Sequence, residues 1–178
     1  MNTRPVSNGS SGNGVGRDDD SCNKPREQRF HYQPLVQGRP TGARALLCPA
    51  DLKPNGAPRD GSGDVQVFGF PDADANKKPG GRGTIYNRAH IIGDKVGGEW
   101  RSENLFTGHE RMNKSGMRRC EVKMEKQLAA KNPVYYSGQL IHGSGPGGVD
   151  AIRMTASTRN GPLFDVVVRN ISDWQATC

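Results

Sequence analysis

Residues Met112–Ala130 read MNKSGMRRCEVKMEKQLAA. Three β-like runs follow: Val134–Ile141 (VYYSGQLI), Ala151–Thr158 (AIRMTAST) and Leu163–Ile171 (LFDVVVRNI). Met117, Cys120, Met124 and Leu128 recur at three- and four-residue spacing, which predicts one helix with a single apolar stripe. Pro133 is its stop signal. The turn Arg159-Asn160-Gly161-Pro162 predicts a hairpin between the last two strands. Upstream, Ala43–Cys48 (ARALLC) and Val65–Phe70 (VQVFGF) read as short strands, separated by the loop-like PADLKPNGAPRDGSGD. A second turn-rich run, PDADANKKPGGRG, leads to the strand-like Thr84–Tyr86. The order strands, loop, helix, β meander predicts an α+β domain with an antiparallel β-sheet core and few helices.

Order is expected to begin near Phe30–Tyr32. The first 21 residues hold two valines and, apart from Met1, no larger apolar side chain. Such a segment cannot bury enough surface to offset its ordering entropy, so 1–29 is read as a disordered Gly/Ser/Asn-rich leader or linker and 30–178 as the domain. The leader lacks the continuous apolar core of a secretory signal. The 178 residues leave room for one domain of ordinary size. With 24 Gly and 12 Pro the chain is rich in turns, and no apolar run is long enough to cross a bilayer. No strand-then-GxGxxG or GxxxxGK[ST] pattern is present, which argues against a nucleotide-cofactor enzyme. Twenty-five Lys and Arg oppose eighteen Asp and Glu, a net +7 that favours a polyanionic partner, nucleic acid first.

Among His31, His90, His109 and His142, the second has the strongest chemical context. His90 follows the short strand TIY, stands two residues after Arg88 and precedes Ile91-Ile92-Gly93. A histidine at a strand end with an arginine alongside suits a general base near phosphate. On the predicted helix, Asn113, Met117 and Glu121 fall on one i, i+4, i+8 row, which places Asn113 and Glu121 roughly 12 Å apart along the axis. Asn113 is a poor helix-interior residue and is expected at a start or turn, with its amide oxygen free to bind. The stretch Arg111–Lys131 carries seven Lys or Arg against two Glu, a local surplus of five positive charges. By itself that pattern also describes a solvated amphipathic helix.

Tyr86-Asn87-Arg88-Ala89-His90-Ile91-Ile92-Gly93, Glu103-Asn104-Leu105-Phe106-Thr107-Gly108, Met112-Asn113 and Met117–Glu121 together resemble the DNA/RNA non-specific endonucleases of the ββα-metal (His-Me finger) superfamily. The likeness covers about residues 43–171 and is greatest to secreted bacterial DNases and toxin domains exported by secretion systems. It implies a ββα-metal finger and sequence-non-specific hydrolysis of phosphodiester bonds in DNA, and in RNA, leaving 5′-phosphates. It implies that His90 is the general base and that Asn113 is the direct ligand of a Mg²⁺, which Mn²⁺ can replace. Arg88 would stabilise charge on the phosphate, Glu121 would hold metal-bound water or orient its neighbours, and Asn104 would anchor His90 or its loop. Lys114, Arg118 and Arg119 are the phosphate contacts expected beside them. The commonest family motif is Asp-Arg-Gly-His, whereas this chain has Asn87 and Ala89. Asn87 removes a charge that could orient a neighbour, and Ala89 would be strained if that position needed a positive φ.

Cys22, Cys48, Cys120 and Cys178 permit three pairings, and an even count fits an oxidised, exported protein. The expectation is a secreted or exported bacterial nuclease whose signal is absent from this chain; a toxin of this kind would have an acidic immunity protein as partner. Three rival readings are a non-catalytic basic nucleic-acid-binding module, a site-specific HNH-type endonuclease, and a Cys/His zinc domain, the last disfavoured by the cysteine spacing.

Overall fold

A computed structural model of the protein describes residues 21–59, 61 and 65–178. Its elements in chain order are helix α1 (Arg26–Arg29) and strands β1 (Phe30–Tyr32), β2 (Gly42–Leu47), β3 (Tyr86–His90) and β4 (Leu105–His109). A π-helical turn (Met112–Met117) then runs into helix α2 (Arg118–Ala129), followed by β5 (Val134–His142), β6 (Val149–Thr158) and β7 (Gly161–Arg169). Five strands form an antiparallel sheet in the order β1-β2-β5-β6-β7, and β3 and β4 form a separate antiparallel hairpin. This is an α+β fold with an antiparallel sheet core and few helices, as its sequence pattern predicts.

Alternation along the strands decides which face is covered. Leu47 pairs with Val134, Tyr136 with Ala156, and Ile152 with Val168, and all six side chains are buried. The opposite face carries Arg44, Tyr135, Arg153 and Val167, which are exposed. The stripe Met117, Cys120, Met124 and Leu128 is fully buried and belongs to the same core as the inner face of the sheet. Helix and hairpin therefore share one side of the sheet, and the finger rests on a rigid floor.

Two asparagines that no motif singled out fix the hairpin in place. Asn76 donates to Tyr86 O (3.0 Å) and accepts from Tyr86 N (2.8 Å), closing the start of β3. Asn170 accepts from His109 N (2.9 Å) and donates to Thr107 O (3.0 Å) and Val149 O (2.9 Å), tying β4 to the sheet. A buried amide that makes several such bonds replaces backbone pairing that the hairpin lacks at its edges. Gly138 admits the chain that follows β3. A Cβ there would lie 2.6 Å from Ile91 Cγ2 and 2.8 Å from the Tyr136 hydroxyl, whose proton goes to Ile91 O (2.8 Å).

Several sequence-based expectations are corrected. Val65–Phe70 is not a strand but an irregular loop with a turn closed by Phe70 N on Val67 O (3.1 Å). Gly69 adopts φ 68° within it, and a Cβ there would meet Gly147 Cα at 2.7 Å, so the chain turns where extended pairing would be needed. Its aromatic residues serve as platforms, Phe68 beneath Arg39 and Phe70 beneath Arg88. The strand expected at Thr84–Tyr86 lies further on, at Tyr86–His90, so Arg88 and His90 are both within it. The helix expected as one regular element opens instead with the π turn Met112–Met117. Ala89 sits in extended strand and needs no positive φ.

The leader reading of residues 1–20 lies outside the described residues. Ser21–Arg29 belongs to the folded body: α1 falls within it, Arg29 donates to Leu46 O (2.9 Å) and Asp51, and Cys22 is bonded to Cys48. The second disulfide joins Cys120 to Cys178, and no described cysteine is free. The cysteines are thereby removed as thiolate ligands, which rules out the Cys/His zinc domain. No helix among the described residues is long and apolar enough to cross a membrane.

Candidate active site

Arg88 and His90 are two apart on β3 and so project from the same face of the hairpin. His90, Gly93, Asp94, Asn113, Lys114, Arg118 and Glu121 line a recess of about 270 Å³ together with the loop that carries Lys53 and Arg59. Arg88 opens into an adjoining recess of about 630 Å³, which shares Arg59, Asn113 and Lys114 with the first. Five residues singled out from sequence, His90, Asn113, Lys114, Arg118 and Glu121, thus meet in one concavity, with Arg88 beside it.

His90 is buried, at 5% exposure, and its Nε2 has no hydrogen-bond partner among the described residues. Burial pushes the imidazole down to about 4, with Arg59 and Lys53 pushing the same way and Asp94 opposing them. The ring is therefore neutral near pH 7, and its Nε2 is not engaged by any described residue. Trp100 packs 5.6 Å from it, centroid to centroid. Lys53 Nζ holds Asp94 Oδ1 at 2.9 Å, which balances part of the charge facing the ring.

Asn104 is fully buried behind this site. It donates to Ile92 O (3.0 Å) and Glu99 O (2.9 Å) and accepts from Ile92 N (2.8 Å), while its own carbonyl accepts from Ile91 N (2.9 Å). All four bonds hold the chain that leaves His90. Glu121 stands on α2 with 16% of its side chain exposed. Burial pushes its carboxyl up to about 7, opposed by Arg118 and Arg59 and reinforced by Glu125. Arg118 lies 4.0 Å from Glu121 but is held chiefly by Glu125, through both guanidinium Nη atoms. Arg118 is therefore not a free cation.

Lys114 bonds to Glu110 (3.0 Å) and lies on the rim of four adjoining depressions. Arg119 is placed outside the recess. It faces a neighbouring groove with Lys123 and Lys126, donates to Gln175 O (3.1 Å) and lies 5.0 Å over the Trp174 ring. The remaining histidines make structural contacts: His31 with Gln28 O, His109 with the Tyr86 ring, and His142 with Pro40 O. Arg59 is the residue that sequence reasoning missed. It lines both recesses, no acidic partner holds it among the described residues, and it is close enough to influence both His90 and Glu121. Nothing in the loop sequence around it marks that role, because only the fold carries this loop across to β3.

The donor set suits a hard divalent cation. Asn113 Nδ2 donates to Asn87 Oδ1 (3.1 Å), so the amide nitrogen is committed to β3 and the oxygen is the end left to act as a ligand. A neutral oxygen in a recess that one carboxylate, Glu121, also lines suits Mg²⁺, which keeps most of its waters and takes few protein ligands. Among the described residues, no cluster of three or more His, Cys, Asp and Glu side chains offers a metal cage instead.

A β-hairpin, a helix and a polar recess between them, all resting on one face of an antiparallel sheet, define the ββα finger class. Residues 21–145 match the family model described as DNA/RNA non-specific endonuclease, and the chain belongs to that family. The structure is similar to that of NucA from Streptococcus agalactiae with magnesium ion bound: TM-score 0.63, 16% identity, 80% of this chain and 72% of NucA covered. It is similar also to the Sda1 nuclease with bound zinc ion, with TM-score 0.61, 20% identity, and 81% of this chain and 75% of that one covered. At these identities the likeness is one of fold. No curated protein matches the chain.

Proposed function

We propose that this protein is a Mg²⁺-dependent endonuclease that hydrolyses DNA and RNA without reading sequence. The observation that carries the reading is the buried, neutral, unpartnered Nε2 of His90 in a basic recess that also holds Asn113 and Glu121. His90 Nε2 takes the proton of the attacking water. No described residue occupies that nitrogen, and burial keeps the ring unprotonated down to acidic pH. Arg88, whose guanidinium rests 4.1 Å over the Phe70 ring, and Arg59, reaching in from the facing loop, hold the phosphate between them. Their charge is fixed before reaction, so it stabilises the transition state without reorganisation. Asn113 Oδ1, in the recess that Glu121 also lines, would hold Mg²⁺, which would supply positive charge for the pentacovalent phosphate and the leaving 3′-oxygen, so that the products would carry 5′-phosphates. Mn²⁺ replaces it.

Contacts from Lys114, Arg88 and Arg59, joined by Arg118 on its release from Glu125, reach the backbone and carry no base information, which supports cleavage without sequence preference. The paired cysteines favour an oxidising compartment, hence export, and a basic cleft of this kind suits an acidic inhibitor as partner. The test is supercoiled plasmid, and separately a structured RNA, incubated with Mg²⁺ or EDTA beside His90→Ala. Metal-dependent degradation to a smear is expected, slowed roughly 10²–10⁴-fold in the variant. Discrete fragments would favour a site-specific HNH-type enzyme. Binding that survives EDTA without strand breakage would favour a binding module.

A further inference from the structure

A side-chain amide has two ends of equal shape and opposite character, a donor NH₂ and an acceptor oxygen. Only the oxygen can hold a cation, so the orientation of Asn113 decides whether the recess can do so. Two hydrogen bonds on the hairpin side set that orientation. Asn87 Oδ1 accepts from Asn113 Nδ2 (3.1 Å), and Asn87 Nδ2 donates to Thr84 Oγ1 (3.3 Å). Asn87 stands in β3 opposite Gly108, a position fixed by the strand ladder, whereas Asn113 is in the π turn that opens the helix. The bond therefore joins the two halves of the finger at the ligand itself.

We propose that Asn87 is the positioning residue for Asn113, holding the amide nitrogen toward β3 so that the oxygen faces the recess. This rests on the reading of Asn113 as the metal ligand. If Asn113 turned over alone, two amide oxygens would face each other, which is repulsive. If both amides turned over, Asn87 would donate to Asn113 and the Thr84 hydroxyl could donate to Asn87, so the pair has a second self-consistent state that presents NH₂ to the recess. A carboxylate at position 87 has no such state, because it can only accept. Asn87 thus both orients the ligand and leaves its orientation reversible, which lowers metal affinity relative to an aspartate there.

The test is Mn²⁺ titration followed by electron paramagnetic resonance, without nucleic acid, on the parent, Asn87→Ala, Asn87→Asp and Asn113→Ala. Loss of a group that orients a metal ligand typically weakens binding roughly 10–100-fold, and that is expected for Asn87→Ala. Asn87→Asp is expected to bind more tightly than the parent. At saturating Mg²⁺, kcat of Asn87→Ala should recover toward the parent value, since Asn87 acts through occupancy and not on the reacting atoms. Parent-like Mn²⁺ binding by Asn87→Ala overturns the proposal. If that variant does not fold, weaker binding by folded Asn87→Asp overturns it instead. Parent-like Mn²⁺ binding by Asn113→Ala is a different result, because it removes the ligand assignment on which the proposal rests.

Discussion

Replacing Glu121 by Gln should make the metal-free protein more stable at alkaline pH while disabling it. The carboxyl lies in the recess with 16% of its side chain exposed, and Arg118, 4.0 Å away, is shared with Glu125. Burial lifts its pKa from the ordinary 4.5 to about 7, so between those values the folded protein holds a proton that the unfolded chain has released. Stability from this group is fully present below about pH 4.5 and is lost as pH rises through 7. Above that, the interval between the two values corresponds to about 3 kcal/mol of cost carried by the ionised form. Gln carries no charge, so the variant should gain about 3 kcal/mol at pH 8 and almost nothing at pH 4.5. For a chain of this size that is roughly 6–12 °C in Tm. The assay is denaturant or thermal unfolding in EDTA with disulfides intact, at both pH values. His90 has the opposite sign: its folded value near 4 lies below the ordinary 6.5, so it removes stability as pH falls through that window. In the parent the two slopes nearly cancel, and Gln at position 121 should expose the His90 slope. A variant no more stable than the parent at pH 8, or equally stabilised at both pH values, would refute the buried-carboxylate reasoning.

His90 should show no imidazole protonation above about pH 5 in ¹⁵N-detected NMR of the metal-free protein, and a midpoint between 6 and 7 would contradict its burial as the cause. Asn104→Ala removes three side-chain bonds and strands the amide and carbonyl of Ile92 and the carbonyl of Glu99, so an unfolding measurement should show a loss of about 3 kcal/mol or more. Opening Cys120–Cys178 with serines releases a closure of 58 residues, a loss of about 4 kcal/mol on chain entropy. It should also lower activity more than opening Cys22–Cys48, because Thr177 bonds to Gly116 O (2.7 Å) in the π turn that carries Asn113. Comparable activity in the two serine pairs would show that the tail does not support that turn. Lys114→Ala should reduce the slope of log binding constant against log salt by about 1, measured with a catalytically dead variant, and an unchanged slope would remove Lys114 from the phosphate contacts.

Much of the finger was legible as spacing. Arg88 and His90 were legible as a pair two apart, but the shared face was not, because the strand that carries them lies further along the chain than the sequence pattern placed it; the apolar stripe through Leu128 was legible from its period alone. The π turn was not legible, because MNKSGM has no local feature that widens a helix. The turn is held from outside, by Thr177 on Gly116 O and by Asn87 on Asn113. Val65–Phe70 has strand composition, yet its neighbours turn it into a loop whose aromatic rings support two arginines. Local propensity loses there because the chain turns at Gly69, which adopts φ 68° against Gly147.

By itself the amino-acid sequence determined the α+β class, the stripe and meander that build the core, and the residue types that chemistry on phosphate requires. Those depend on period and spacing, which are local properties. The tertiary structure alone decided which cations face the recess, since Arg59 arrives from a distant loop while Arg119 turns away to the C-terminal segment. It also decided the proton affinities of His90 and Glu121, because burial is set by what the rest of the chain stacks against a residue. The end of the Asn113 amide that faces the recess was decided in the same way, by a hydrogen-bond partner 26 residues upstream that the hairpin brings into contact.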